Sequence, residues 1–393
     1  MSLNSGVRYH SVNPENTKEI YQEFDNIDFL MSAENRSFVA GSFRLCGNVQ
    51  MVWPTTPNPV VPGVVYQPLD IKTAYDGFTG SHCFVDRIDV SFQEAGNIEN
   101  LSYYPRYQSC KAQATLAKED LFNSAYTAEN RVPSEKLSNA MLKGMCDIAH
   151  VSDTTLNSSF VTPLDFSLKL DFCLNNVINS AVVPYAKTGD LRLKLTLARN
   201  LSILFGDSRI GSEITYKLTN LRVLYQSVPD DGKYLPQYTM RVMTSIKSSM
   251  QSTYSNLSYK VPMVCDSFYA TAILQSEEDN ALVNGLQNER IPNVSELQII
   301  WNDTMNQQIT YSLVNEEEIL NNFITAVKRS QVGSNNAGLN TLASNNGWGL
   351  GLNFGQLVDL SKTKLGLNIK SSISSGNPYV LYAFFSGILS ISG

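Results

Sequence analysis

The side chains most often used for acid–base, nucleophilic or metal chemistry are few and scattered in this chain. Among 393 residues there are three histidines, His10, His82 and His150, and six cysteines without a CxxC pair. Only His82 and Cys83 are adjacent, and neighbours in a strand point to opposite faces, so they could not exchange a proton. No HExxH helix, two-cysteine zinc knuckle or EF-hand loop occurs. We therefore predict no catalytic residue, no metal ligand, no cofactor and no enzymatic activity.

Phosphate-binding and charged motifs are equally weak. The glycine-rich run from Gly347 to Gly355 has the wrong spacing for a dinucleotide fingerprint, and no GxxxxGK[ST] or GxSxG motif is present. The acidic run Glu277–Asp279 is typical of a solvated turn, and Glu316–Glu318 suits the positive N-terminus of a helix. Lys328-Arg329 is too short for a nucleic-acid patch. We predict no sequence-specific nucleic-acid binding.

The overall composition excludes several classes of protein. Apolar residues make up 43% and charged residues 17%, and 30 basic against 36 acidic residues give a formal charge of −6. Such a chain is neither a basic nucleic-acid wrapper nor a disordered polymer. Scattered cysteines, an N-terminus without an apolar signal core and the lack of an 18-residue apolar window indicate a protein folded in a reducing cytosol, not secreted through a signal peptide.

Alternation of apolar and polar residues predicts strands through most of the chain. The clearest alternating segments are Phe43–Trp53, Leu164–Leu174, Leu191–Leu197 and Trp348–Phe354. The terminal segment Tyr379–Ile391 contains the most apolar run of the chain and is predicted to be a buried strand. Helical patterns interrupt the strands near 107–122 and 134–149 in the first half, and over Glu316–Arg329 in the second. The fold class predicted from this pattern is all-β.

The order of these elements predicts two similar domains after a polar tail. Residues 1–25 show no sustained period and are predicted to be an N-terminal arm that can be deleted without loss of folding. Residues 26–229 form a first β-sandwich with a helical insertion near 105–149, and residues 233–393 form a second with a helix near 316–329. The turn-forming cluster Pro229-Asp230-Asp231-Gly232 marks the boundary, and we expect the halves to fold as separate sandwiches.

The succession of segments resembles a known family of viral proteins. Phe160–Leu174, Asn179–Pro184, Leu191–Ala198 and Tyr216–Val223 are similar, in that order, to the first jelly roll of double jelly-roll major capsid proteins from tailless icosahedral dsDNA viruses of the tectivirus, corticovirus and adenovirus lineage. The region Ile27–Phe38 resembles the opening strands, and Pro378–Phe385 resembles the last strand. No single piece is diagnostic, and the resemblance rests on order.

The resemblance implies two consecutive eight-stranded antiparallel jelly rolls and a structural function. It implies a homotrimer that forms a pseudo-hexagonal capsomer and tiles an icosahedral shell around a dsDNA genome. Neighbouring capsomers and vertex (penton) or minor capsid proteins would be its partners, and the N-terminal arm is a candidate for contact with an internal membrane. The implied location is the virion, with assembly in the host cytoplasm or nucleus.

Two other functions remain open at this stage. The alternative is a two-domain β-sandwich that binds carbohydrate or a receptor, like a spike or a lectin, and it would need exposed aromatic residues clustered with acidic or amide partners in a loop. An enzyme on a β-scaffold would need a constellation of carboxylates or histidines. The sequence displays neither pattern.

Overall fold

The computed structural model describes residues 6–52, 73–115, 128–132, 163–287, 291–302, 307–330 and 349–392. These residues form mainly strands. Strands before residue 230 are β1 (Arg8–Val12), β2 (Asn26–Met31), β3 (Arg36–Val39), β4 (Arg44–Val52), β5 (Ala74–Tyr75), β6 (Val85–Phe92), β7 (Gly96–Leu101), β8 (Leu164–Lys169), β9 (Val182–Pro184), β10 (Leu191–Leu197), β11 (Leu204–Phe205) and β12 (Thr215–Pro229). Later strands are β13 (Gln237–Met250), β14 (Tyr254–Tyr259), β15 (Val264–Leu274), β16 (Glu296–Asn302), β17 (Gln308–Leu313), β18 (Leu350–Asp359), β19 (Leu365–Lys370) and β20 (Tyr379–Ser392). The helices are α1 (Tyr104–Thr115), α2 (Tyr185–Thr188), α3 (Asn200–Ile203) and α4 (Glu316–Arg329).

The first sandwich has two sheets of four strand positions each. β12 pairs with β1 along one edge, and with β4 and β3 in succession along the other. Since β3 and β4 follow one another against the same edge of β12, they act as one interrupted strand, and β9 and β8 flank them on the far side. The facing strands run in the order β7-β6-β10-β2. Counting the interrupted pairs as single strands gives the eight-stranded jelly roll, and β5 and β11 form a separate ribbon.

The prediction of a free N-terminal arm through residue 25 is wrong. All five residues of β1 pair with β12, from Arg8 opposite Ser227 to Val12 opposite Val223. Tyr21 is 1% exposed and forms a bridge to Leu218. The physical reason is that strand pairing uses backbone hydrogen bonds, which do not require alternating apolar side chains. The mostly polar residues of β1 can therefore form the first strand of the jelly roll.

The second sandwich repeats the same plan with eight separate strands. One sheet runs β14-β19-β16-β17, and the other contains β18-β15-β20-β13. Helix α4 follows β17 as α1 follows β7, and it spans the predicted range Glu316–Arg329. Its N-cap, Asn315, accepts a hydrogen bond from the Glu317 N–H at 2.9 Å. The all-β class with two jelly rolls is therefore confirmed.

One sheet continues from the first sandwich into the second. Its eight strands run β18-β15-β20-β13-β7-β6-β10-β2, and β13 joins β7 through a parallel bridge between Thr244 and Asn100. Strands from the two halves form two blocks that do not interleave, and the connecting turn lies where the Pro229–Gly232 cluster predicts it. The strands of the two halves are therefore separate, as expected. The two sandwiches nevertheless share one hydrogen-bonded sheet.

The helical insertions are only partly within the described ranges. Helix α1 covers the start of the predicted 105–149 insertion, whereas the predicted helix at 134–149 lies outside the described residues.

Leu191, Leu193, Leu195 and Leu197 of β10 are all buried, as alternation predicts. Among the described residues, no helix is long and apolar enough to cross a membrane.

Candidate functional site

The histidine and cysteine side chains that the structure describes are packed against other groups. His82 and Cys83 lie in a 3-10 helix, Gly80–Phe84, and not in a strand as the sequence argument assumed. The His82 Nδ1 atom lies 3.1 Å from the Tyr104 hydroxyl, and its Nε2 lies 3.4 Å from a Glu129 carboxylate oxygen. Burial raises the pKa of the Cys83 thiol well above its usual value. Cys83 is therefore not a nucleophile activated by His82 as its base.

The other two histidines carry no assigned chemistry. His10 stacks on Tyr225 with ring centroids 4.6 Å apart, and His150 lies outside the described residues. Within the ranges given above, no three His, Cys, Asp or Glu side chains come close enough to hold a metal ion. The polar groups that do come together join elements of the fold.

One buried cluster ties α1 to the turn that follows β8. Asp171 accepts hydrogen bonds from the Tyr107 hydroxyl at 2.7 Å and the Asn176 amide at 2.6 Å, and it forms an ion pair with Lys111. Burial would raise the pKa of Asp171, but the Lys111 charge and these hydrogen bonds outweigh it and hold the pKa at about 2. Asp171 is therefore ionised at neutral pH, and its contacts hold α1 on the first sandwich.

A second carboxylate joins the two sandwiches. Glu99 of β7 is 3% exposed. Its Oε1 accepts the Met243 backbone N–H of β13 at 2.8 Å, and its Oε2 accepts the Cys173 backbone N–H at 2.7 Å. Burial raises the pKa of Glu99 to about 8, against the effect of the two N–H donors and with a further contribution from the Asp171 charge. One side chain thus connects three chain segments where the continuous sheet crosses between sandwiches.

The state of Glu99 should make stability depend on pH. Because its pKa is raised on folding, the stability it contributes is complete below its unfolded value near 4.5 and is lost as the pH rises through about 8. The variant Glu99→Gln cannot ionise. Its amide oxygen can accept one of the two backbone N–H groups, but its NH₂ group is itself a donor and leaves the other N–H without an acceptor. We expect Glu99→Gln to be less stable than the wild type at pH 5, with the deficit shrinking towards pH 9, as measured by urea unfolding. A deficit that is constant between these pH values would contradict the prediction.

A third buried carboxylate organises the second sandwich. Asp266 of β15 is 1% exposed and receives Arg241 of β13 on both oxygens, at 3.0 and 3.1 Å. Arg329, at the end of α4, donates to Asp266 at 2.9 Å, and Arg241 also donates to the Ser386 hydroxyl of β20 at 2.6 Å. This network holds three strands of the sheet and the helix packed on it.

A small cavity lies where α1 meets the second sandwich. The Arg106 guanidinium lies 4.4 Å from the ring centroid of Tyr382 and donates to the Gly285 carbonyl. Glu278 accepts from Tyr382 and pairs with Lys247. The enclosed space is about 130 Å³, below the roughly 300–1,000 Å³ of a small-molecule site. Its charged groups serve the junction between sandwiches.

A wide groove lies on the outer face of the first sandwich. It measures about 930 Å³ and runs between the segment after β1 and strands β4, β8 and β12, where Lys18, Asn48, Asp165 and Arg222 line it. Cys46 and Gly47 also line it. The groove is open and mixed in polarity, so it suits contact with another macromolecule better than enclosure of a small ligand.

The sequence analysis named no site residue, and it missed the three buried carboxylates that join the elements. A usable signal existed for two of them. Asp266 interrupts the apolar run Val264–Leu274, and Glu99 lies between the apolar residues of a short strand. A buried acid needs a partner, but only the structure reveals which segment supplies it.

Comparison with known proteins identifies the fold. No family model and no curated protein matches the sequence. Among solved structures, the Faustovirus major capsid protein is 9% identical, with a TM-score of 0.54 over 98% of this chain and 90% of that chain. A structure of the Sputnik virophage determined by cryo-EM is 11% identical, with a TM-score of 0.54 over 100% and 88% of the two chains. PBCV-1 VP54, fitted into a reconstruction of Sputnik, is 10% identical, with a TM-score of 0.53 over 98% and 95%. The chain has the double jelly-roll fold of these capsid proteins, so the resemblance inferred from sequence is confirmed at the level of fold.

Proposed function

We propose that this chain is a viral major capsid protein that acts as a structural component of the virion. The observation that carries the proposal is the presence of two jelly rolls, fused through one continuous sheet, that align over almost their whole length with the Faustovirus major capsid protein. Fold alone does not determine function. The support here comes from the complete two-domain arrangement, since each sandwich on its own is a common architecture.

The two sandwiches make a symmetrical tile physically reasonable. Three copies placed in a closed ring set six similar sandwiches around one axis, which approximates a hexagon. Such a ring repeats one heterologous interface, in which the first sandwich of one copy meets the second sandwich of the next. The trimer would then be the pseudo-hexagonal capsomer that tiles an icosahedral shell around a dsDNA genome.

The finer assignments follow from the same proposal. Partners would be neighbouring capsomers and vertex or minor capsid proteins, and assembly would take place in the host cytoplasm or nucleus. Because β1 begins at Arg8 and belongs to the sandwich, contact with an internal membrane would fall to the residues that precede it. We also propose that the protein is not an enzyme, which is consistent with the internal pairing of its buried charges described above.

Measurement of the mass of the purified full-length protein tests the proposal. We expect light scattering to give a mass near three times 43.6 kDa, and electron microscopy to reveal hexagonal tiles or shells at high concentration. A stable monomer that never assembles would contradict the capsid function and would favour the carbohydrate- or receptor-binding alternative.

A further inference from the structure

We propose that the outer face of the first sandwich binds the N-terminal end of α4 from a second copy of this chain. The inference rests on the proposed capsid function, because it identifies two surfaces that would meet between copies. The first surface, here called the basic face, is formed by Arg44, Lys169 and Arg222, with Tyr9 at its margin. The second surface, here called the acidic tip, is formed by Tyr311, Val314, Glu317 and Glu318.

The basic face places like charges side by side on one sheet. Arg44 of β4 lies directly opposite Lys169 of β8. Arg222 of β12 lies opposite Cys46, two residues along β4 from Arg44, so its side chain belongs to the next row of the same face. All three side chains are exposed. Like charges directly opposite one another destabilise a sheet, so this arrangement favours an anionic partner.

The part of the chain that the structure describes gives the side chains of the basic face no such partner. Over the described residues, the side-chain nitrogens of Arg44, Lys169 and Arg222 have no carboxylate within 4 Å. The nearby Glu129 carboxylate lies 3.5 Å from the Lys169 backbone N–H and is already paired with Arg131. Arg44 donates only to the Ser167 carbonyl, at 3.4 Å. Asp165, on the same face, accepts a hydrogen bond from the neutral Asn48 amide and keeps its negative charge, so three cations stand against this one carboxylate. The local charge therefore stays positive on a chain whose net charge is −6.

An exposed aromatic side chain accompanies these charges. Tyr9 of β1 is 80% exposed and lies opposite Gln226 of β12, beside the row that contains Arg44. Tyr and Arg are among the residues enriched in the buried centres of protein interfaces. The basic face therefore combines positive charges with the exposed ring of Tyr9, and this combination is suited to binding a protein partner.

The acidic tip has the complementary composition. Glu317 and Glu318 open α4 and are exposed, and the helix dipole accounts for their presence there. The dipole does not account for the neighbouring apolar side chains, because Val314 is 72% exposed and Tyr311 is 39% exposed. In the described part of the chain, neither glutamate has a basic partner within 4 Å. Unpaired negative charge and exposed apolar area thus occur together.

The chemistry of the whole chain favours a second copy over a polyanion. DNA and anionic lipid would both be repelled by the net negative charge once away from the basic face. A second copy offers a small acidic surface that fits it. The two surfaces belong to different sandwiches, and a ring of copies brings first and second sandwiches together. Each interface would then join one basic face to one acidic tip.

Exchange of charges tests the contact in the full-length protein. One variant carries Arg44→Glu with Arg222→Glu, a second carries Glu317→Lys with Glu318→Lys, and a third carries all four changes. We expect each double variant to weaken self-association by about tenfold or more, because like charges then face each other across the interface. The fourfold variant should recover most of the association. Light scattering across a concentration series measures these constants.

A matched control reverses two exposed lysines outside both surfaces. Lys260→Glu with Lys364→Glu changes the net charge as much as the arginine variant does, and it should leave association unchanged. Urea unfolding identifies any variant that fails to fold, and the neutral pair Arg44→Gln with Arg222→Gln then replaces the reversal, with a smaller expected loss of association.

The other outcomes separate this inference from the proposed function. A wild type that stays monomeric at all concentrations would overturn both. A wild type that assembles, with double variants that assemble equally well, would overturn only the proposed contact. The contact would also be wrong if the fourfold variant remained as weak as the doubles. Sedimentation of the wild type, but not the arginine variant, with duplex DNA or phosphatidylserine vesicles would instead assign the basic face to a polyanion.

Discussion

A chain that begins at Asp25 is expected to lose its fold instead of forming a soluble particle. The truncation removes β1, which pairs with β12 through five residues, and it removes Tyr21, which is 1% exposed. Loss of a buried aromatic side chain costs about 3–5 kcal/mol, a large fraction of the roughly 5–15 kcal/mol that stabilises a typical domain. Removal of β1 also leaves an edge of β12 unpaired, which promotes aggregation. Circular dichroism melting and size-exclusion chromatography of the truncated chain measure both effects.

A shorter truncation is the matched control. A chain that begins at Gly6 keeps every described residue of β1, and it should melt and elute like the full-length protein. The single variant Tyr21→Ala separates the effect of the core from that of the strand, and it should lower stability without the aggregation. If the chain from Asp25 elutes as a folded assembly with an unchanged far-UV spectrum, the strand role of β1 is wrong.

Replacement of Asp266 by alanine is expected to destabilise the protein by about 3–5 kcal/mol, because it leaves a buried charge without its partner. Arg241 has a side chain only 7% exposed, and its guanidinium would keep only the Ser386 hydroxyl. Urea or thermal unfolding should therefore shift strongly. The double variant Asp266→Leu with Arg241→Met removes both charges and should recover most of the loss, since apolar residues can replace a buried pair.

The second arginine of this network supplies the comparison. Arg329 binds the same carboxylate at 2.9 Å, but its side chain is 51% exposed. Water already solvates it, so Arg329→Ala should cost no more than about 1 kcal/mol. Equal losses for Asp266→Ala and Arg329→Ala would mean that burial of Arg241 does not set the cost, which would contradict the prediction.

The longest strands and α4 could be predicted from sequence because their signals are local. In β10, leucine alternates with polar residues, and every leucine is buried. In α4, Ile319, Phe323 and Val327 lie on one side of the helix and are buried, while Glu316–Glu318 suit its N-terminus. These patterns predict an all-β chain of two sandwiches, and the resemblance of their order to a known family implied that both sandwiches are jelly rolls.

The N-terminal strand and the buried carboxylates could not be predicted in the same way. β1 has a mostly polar sequence, and its place in the sheet comes from backbone hydrogen bonds to β12, more than 200 residues later. Glu99 connects chain segments only because the fold places β13 and the turn at Cys173 beside it, where their backbone N–H groups donate to its carboxylate. Backbone pairing between segments far apart in sequence does not require a particular side-chain pattern in either segment, so it cannot be predicted from that pattern.

The sequence by itself thus determined the class of each strong element and the turn between the halves, because periodicity reflects which side of an element is buried. The double jelly roll was implied by the resemblance to a known family. Tertiary structure alone decided that the first strand lies within the supposed arm, that one sheet spans both sandwiches, and that Arg44 and Lys169 share one face. Those features depend on which strands become neighbours. Neighbour choice is settled by the packing of the whole chain and not by any local run of residues.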